Sequence, residues 1–229
     1  MPLVLDPLPE KFYFKIMDTL IRKPFRYTYS NMSFILIGIN LAVFMLNMMI
    51  PKSLYYLAMI PSFVLNGWVW QFVTYMFVHS GITHIAFNML ALLFFGQAVE
   101  RQMGSREFVM FYLLTGALAG VFSFAVYFFT GSNVILLGAS GAVYAVLFAY
   151  AAYFPDSRIY IFGVLPVKAT TLVLIYTALA IFSQITSLRN GVAHLTHLAG
   201  FVFAFLYFII RLGINPLDAF RGKNRNGWK

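Results

Sequence analysis

The sequence predicts an all-α, polytopic membrane protein: a bundle of six transmembrane helices with a short central fourth helix. Three observations predict it. Of 229 residues, 61% are hydrophobic and only 10% are charged, and mean hydropathy is +0.81. A water-soluble domain carries about 25% charged residues, so this chain cannot cover a globular surface with polar groups. Six apolar runs approach the roughly 20 residues that a helix needs to cross hydrocarbon. When those runs are threaded alternately through a membrane, 14 of the 16 Lys and Arg fall on one side.

The runs are 34–50, 82–99, 108–129, 137–154, 169–187 and 192–212. Backbone groups in lipid must be paired within their own segment, so runs of this length are helices rather than strands. Lys11, Lys15, Arg22, Lys23 and Arg26 precede the first. Arg101 and Arg106 join the second to the third, Arg158 and Lys168 the fourth to the fifth, and five more follow the sixth. Only Lys52 and Arg189 lie on the other face. The excess of basic loops faces the cytoplasm, which puts both termini there.

The first 33 residues hold no apolar core with a small-residue cleavage site, so no cleavable signal is expected in them. Residues 10–26 pair Phe12, Ile16, Met17, Leu20 and Ile21 with basic neighbours, the spacing of an amphipathic helix lying on the membrane. The organisation is therefore a cytoplasmic segment 1–33, a six-helix domain 34–212 and a basic cytoplasmic tail 213–229. The connection 51–81 is almost uncharged and rich in aromatics, including Tyr55, Tyr56, Trp68 and Trp70. It belongs in the interfacial zone, where Trp and Tyr are favoured. With no cysteine, there is no disulfide framework, thiolate nucleophile or Cys-type zinc site. The net charge of +9 speaks to topology and anionic membrane lipids rather than to nucleic acid. A bacterial inner (cell) membrane is the expected location.

Polar side chains inside spans are costly and mark function by default. His79, His84, His194 and His197 lie near the starts of spans two and six, and Ser140 near the start of span four. Those three spans run outside to inside, so their starts share one depth in the outer half. All seven carboxylates fall on the cytoplasmic side or at inner helix ends, about 15 Å or more away along a helix. That excludes a Ser-His-Asp triad and a HExxH zinc site. A serine with a histidine and no acidic third member remains.

Gly138, Gly141, Ala142, Ala145 and Ala149 strip bulk from span four, which suits a central, closely surrounded helix; Gly116, Gly120, Gly200 and Ala204 supply matching small faces. Tyr144 follows Ser140 by one helical turn, placed to support an imidazole or simply to pack. His84 and Asn88 share a helix face. They are either donors to an oxyanion, joined by the Ser140 N–H, or a structural pair bonding across helices. His194 and His197 are three apart, so both can face inward and either can be the base. The four histidines could instead ligate a metal, though no carboxylate supports them.

These residues form a pattern that resembles the rhomboid intramembrane serine proteases from about residue 68 to 204. Four stretches carry it: Thr74-Tyr75-Met76-Phe77-Val78-His79 with His84-x-x-x-Asn88, then Gly96-x-x-x-Glu100-x-x-x-Gly104, Gly138-x-Ser140-Gly141, and His197-x-x-Gly200. The resemblance implies a rhomboid-like six-helix domain. In it Ser140 is the nucleophile and His197, with Gly200 three residues on, is the base. His84, Asn88 and the Ser140 N–H match the oxyanion donors, Tyr144 the ring packed on the catalytic histidine, and His79 a structural histidine. Glu100 matches an acid bonded at the inner end of the bundle.

The implied activity is a serine endopeptidase using a Ser-His dyad and an acyl-enzyme, with transmembrane protein substrates, cleavage near the outer membrane face and no cofactor. The alternatives are a His-liganded metal-dependent membrane enzyme and a non-catalytic, membrane-protein-binding rhomboid-like protein. One departure stands out. Where the family often carries Trp-Arg in the first loop, this chain has Trp70-Gln71, which removes that loop's usual basic anchor.

Overall fold

The structure is a computed structural model that describes residues 22–132, 134–161, 164–186 and 192–220. Most of the expected surface helix 10–26, Arg189 and the side chain of His194 lie outside the described residues. What is described is mainly helical. Among the described residues, Met32–Met49, Ile82–Met103 and Ser105–Thr130 are long and apolar enough to cross a membrane, and Ser140–Tyr153, Ala169–Ala178 and Leu195–Ile210 are shorter apolar helical stretches.

Helix α1 (Met32–Met49) starts where a buried carboxylate from another part of the chain meets it. Glu100 accepts hydrogen bonds from the Met32 N–H, the Ser33 N–H and the Ser33 hydroxyl. These first-turn N–H groups have no partner within their own helix, and a negative charge suits the positive end of its dipole. Only Ser33, Leu36 and Asn40 of α1 are buried, so it lies at the rim of the bundle. The connection that follows folds into α2 (Ser53–Leu57), α3 (Pro61–Leu65), α4 (Gln71–Thr74) and a 3₁₀ turn at Tyr75–Phe77. Trp68 stacks between Tyr56 and Trp70, while Met59, Tyr75 and Met76 are fully buried beneath.

The second run is one rod in two parts. Helix α5 (Ile82–Ala91) passes through a π-helical turn, Leu92–Gly96, into α6 (Gln97–Met103). The wider turn shifts the face carrying His84 and Asn88 relative to the face carrying Glu100. Gly104, at φ 86°, makes the sharp exit into α7 (Ser105–Thr130). Helix α8 (Ser140–Tyr153) has ten of its fourteen residues buried, which makes it the centre of the packing; α5, α6, α7 and the later α9 (Ala169–Thr186) and α10 (Val192–Ile210) all pack against it. Short α11 (Pro216–Phe220) closes the described chain.

Two features depart from the sequence expectation. The fourth helix begins at Ser140 rather than at 137, because the approach is extended. Leu136 pairs with Met59 through two backbone bonds of 2.9 Å, the Gly138 N–H donates to the Tyr75 carbonyl, and Gly138 turns the chain at φ +115°. The all-α reading also misses an antiparallel hairpin, β1 (Arg158–Ile161) with β2 (Leu165–Lys168), in register Arg158↔Lys168. Ile, Tyr and Val suit strands, but two four-residue strands are too short to show a clear alternation.

Candidate active site

Helix α8 delivers Ser140 as its first residue, at the end of the bundle where α5 also begins. From α10, 57 residues further on, the His197 ring arrives with Nε2 2.8 Å from Ser140 Oγ. Three close contacts hold that approach. A methyl group on Gly200 would lie 2.2 Å from the Gly141 carbonyl oxygen, and one on Gly141 would meet Ala119 at 3.2 Å and Thr196 at 3.3 Å. At the Gly200–Gly141 crossing only hydrogen atoms fit between the two backbones, so α10 comes much nearer to α8 than larger residues would permit. Behind the histidine, Thr196 and Ser123 of α7 share a buried hydrogen bond of 2.6 Å.

Tyr144, one turn below Ser140, stacks on His197 with ring centroids 4.2 Å apart and planes 12° from parallel. It is itself wedged by Tyr176 and Phe201. The imidazole is thus clamped by packing on one face while its Nε2 edge meets the hydroxyl.

Opposite them, α5 contributes His84 and Asn88. A methyl on Gly138 would lie 2.7 Å from Cε1 and Nε2 of His84 and 3.7 Å from Ser140 Oγ. Gly138 therefore keeps a gap between His84 Nε2 and the serine oxygen, and its φ of +115° is one that L side chains rarely adopt. Asn88 donates one amide N–H to the His84 carbonyl at 2.8 Å, which holds its side chain along the helix beside the cleft. Buried His79 stands edge-on to His84 at 5.0 Å and accepts the Ala139 N–H at Nε2, 3.4 Å away. Burial, and then the neighbouring His84, pull the His79 pKa down to about 4, so the ring is neutral and able to accept. It braces the turn that launches α8.

A cleft of about 830 Å³ contains Ser140, His197, His84 and Asn88 in its wall and continues between α5 and α9 as far as Ile159 of the hairpin. Phe87 and Leu90 of α5 and Phe94 of the π-helical turn line one side of it. Glu100 and Glu107 lie far down the bundle from it. Glu107 accepts from the Phe25 N–H, from Arg211 Nε at 3.0 Å and from the Tyr207 hydroxyl. Among the described residues no three His, Asp or Glu side chains come together as metal ligands do.

Two site neighbours were not singled out from sequence. Thr196 beside His197 and Ser80 beside His84 are small polar residues with no spacing signal of their own. In the first loop, Gln71 stands where the arginine was missed. It is fully buried, accepts the Ile60 N–H and donates to the Tyr55 carbonyl at 2.8 Å, so a neutral amide ties the loop together.

A family model, the Rhomboid domain, matches residues 66–214, well over half of the chain. The chain is 31% identical over 144 residues to the putative rhomboid protease YdcA of Bacillus subtilis, covering 62% of this chain and 69% of that protein. It is 30% identical over 152 residues to the rhomboid protease GlpG of Haemophilus influenzae, covering 66% and 74%. Similarity to the rhomboid protease GluP of Bacillus subtilis reaches 40% over 86 residues, 38% of this chain but only 16% of that one. A helical bundle with spans of membrane length and a Rhomboid domain over its core identifies this chain as an integral membrane protein of the rhomboid family.

Proposed function

We propose that this protein is an intramembrane serine endopeptidase acting through a Ser140–His197 dyad. The single observation that carries the reading is the 2.8 Å contact between His197 Nε2 and Ser140 Oγ, made by residues on two different helices at the head of a cleft. Six spans cross the membrane, both termini are cytoplasmic, and residues 34–212 form the protease domain between an N-terminal segment, 1–33, and a basic tail, 213–229. The dyad then lies just inside the outer face, in a bacterial inner membrane.

His197 takes the Ser140 proton as Oγ attacks the scissile carbonyl, and later passes it to the leaving amine; water then hydrolyses the acyl-enzyme. His84, Asn88 and the Ser140 N–H stabilise the oxyanion, each such donor being worth about 3 kcal/mol. Tyr144 takes the place of an orienting acid by stacking on the base. The substrate is a transmembrane helix. It must unwind locally to expose a peptide bond, so Gly or Pro near its outer end favours cleavage. It approaches laterally along the cleft between α5 and α9.

A fluorophosphonate probe tests the nucleophile. Wild type is expected to label, and Ser140→Ala and His197→Ala to lose labelling and cleavage of a reconstituted transmembrane substrate. Activity that survives in Ser140→Ala and disappears with a chelator would replace the dyad with a metal centre.

A further inference from the structure

His84 presents two ring nitrogens to different surroundings. Nδ1 lies 3.1 Å from the Ser80 hydroxyl, while the Nε2 edge overhangs Gly138 and faces the gap that also borders Ser140 Oγ. A neutral imidazole carries one proton. On Nε2 it makes a donor aimed at the gap. On Nδ1 it leaves a lone pair there, which would repel a developing oxyanion. Whichever group meets Nδ1 biases the choice. A carbonyl or carboxylate at that point could only accept and would draw the proton to Nδ1. A hydroxyl can donate as well as accept, so, unlike those groups, it permits an unprotonated Nδ1 satisfied as an acceptor, with the proton on Nε2. His79, the other ring beside His84, is engaged with the Ala139 N–H. Ser80 is exposed on the cleft wall two residues before α5, and no packing requirement accounts for a hydroxyl there.

We propose that Ser80 is a positioning residue whose hydroxyl donates to His84 Nδ1 and thereby holds the ring proton on Nε2, facing the reacting carbonyl. It rests on the reading of His84 as an oxyanion donor and adds the group that sets its tautomer.

The test pairs nitrogen-15 NMR of labelled histidines in detergent micelles with kcat and KM on a reconstituted transmembrane substrate. The His84 signals are assigned by their loss in His84→Gln. In wild type, His84 should show a protonated Nε2 and an unprotonated Nδ1. Ser80→Ala should give a mixture of tautomers and lower kcat about 10-fold, less than the roughly 10²–10³ lost with a whole oxyanion donor, with KM within twofold. Ser80→Thr should restore both readouts. Ser80→Asp, which can only accept, should move the proton to Nδ1 and lower kcat further than alanine does.

A wild-type ring protonated at Nδ1 would overturn the proposal, and so would a tautomer or a kcat that does not change in Ser80→Ala. Substrate cleavage that survives in Ser140→Ala defeats the peptidase reading instead, and leaves the tautomer measurement to stand or fall separately.

Discussion

At the scale of single residues, the site is defined by what is small as much as by what reacts. Gly200 admits no side chain, since a methyl there falls 2.2 Å from the Gly141 carbonyl oxygen. Gly200→Ala should push α10 away from α8, lower the Tm by an amount corresponding to about 1–3 kcal/mol of overpacking, and abolish probe labelling. Tyr144 contributes through its ring. Stacking of this kind is worth about 0.5–1.5 kcal/mol, so Tyr144→Leu should slow labelling roughly 2- to 10-fold while Tyr144→Phe stays near wild type. His79 should make stability depend on pH. Burial and the adjacent His84 lower its pKa from 6.5 to about 4 in the folded protein. Between those values the unfolded chain binds more protons than the folded one, so acidification destabilises. The Tm in detergent should fall as pH drops from 6.5 towards 4. His79→Gln, which keeps an acceptor for the Ala139 N–H, should flatten that dependence.

Among the elements, α1 is the one held chiefly by its end. Three of its residues are buried, and its first turn hangs on Glu100, which Ser105 also bonds. Hydrogen bonds to charged groups are worth about 1.5–3 kcal/mol each. Glu100→Ala should therefore lower the Tm and speed tryptic cleavage at Arg22 and Arg26, with Glu100→Gln in between; unchanged cleavage would show that α1 is anchored elsewhere. The elements also show where sequence reasoning stops. Long apolar runs predicted α1, α7, α9 and α10 to within a few residues, because hydrocarbon thickness fixes helix length. The π-helical turn Leu92–Gly96 and the β1–β2 hairpin were not legible. A one-residue change of helical register and two four-residue strands leave no periodic trace.

For the molecule as a whole, the remaining matter is direction across the membrane. The chain has no cysteine, so single cysteines report topology directly. A membrane-impermeant maleimide should label Asn66→Cys in the first loop from outside intact cells. Asp156→Cys, before the hairpin, should react only after permeabilisation. The reverse pattern would move the cleft to the cytoplasmic face and end the proposed site of cleavage.

Composition sufficed for a membrane bundle, since transfer energies act residue by residue and need no partner; basic-residue asymmetry gives the expected orientation that the maleimide experiment tests. The expected starts of alternate spans also predicted one depth for His84, Ser140 and His197. Depth alone does not bring an oxygen within 2.8 Å of a nitrogen. That distance, the stack of Tyr144 on His197, the gap above Gly138 and the cleft between α5 and α9 come from packing between helices distant in sequence. Close packing depends on the shapes of several neighbours at once, so no local pattern in the chain records it.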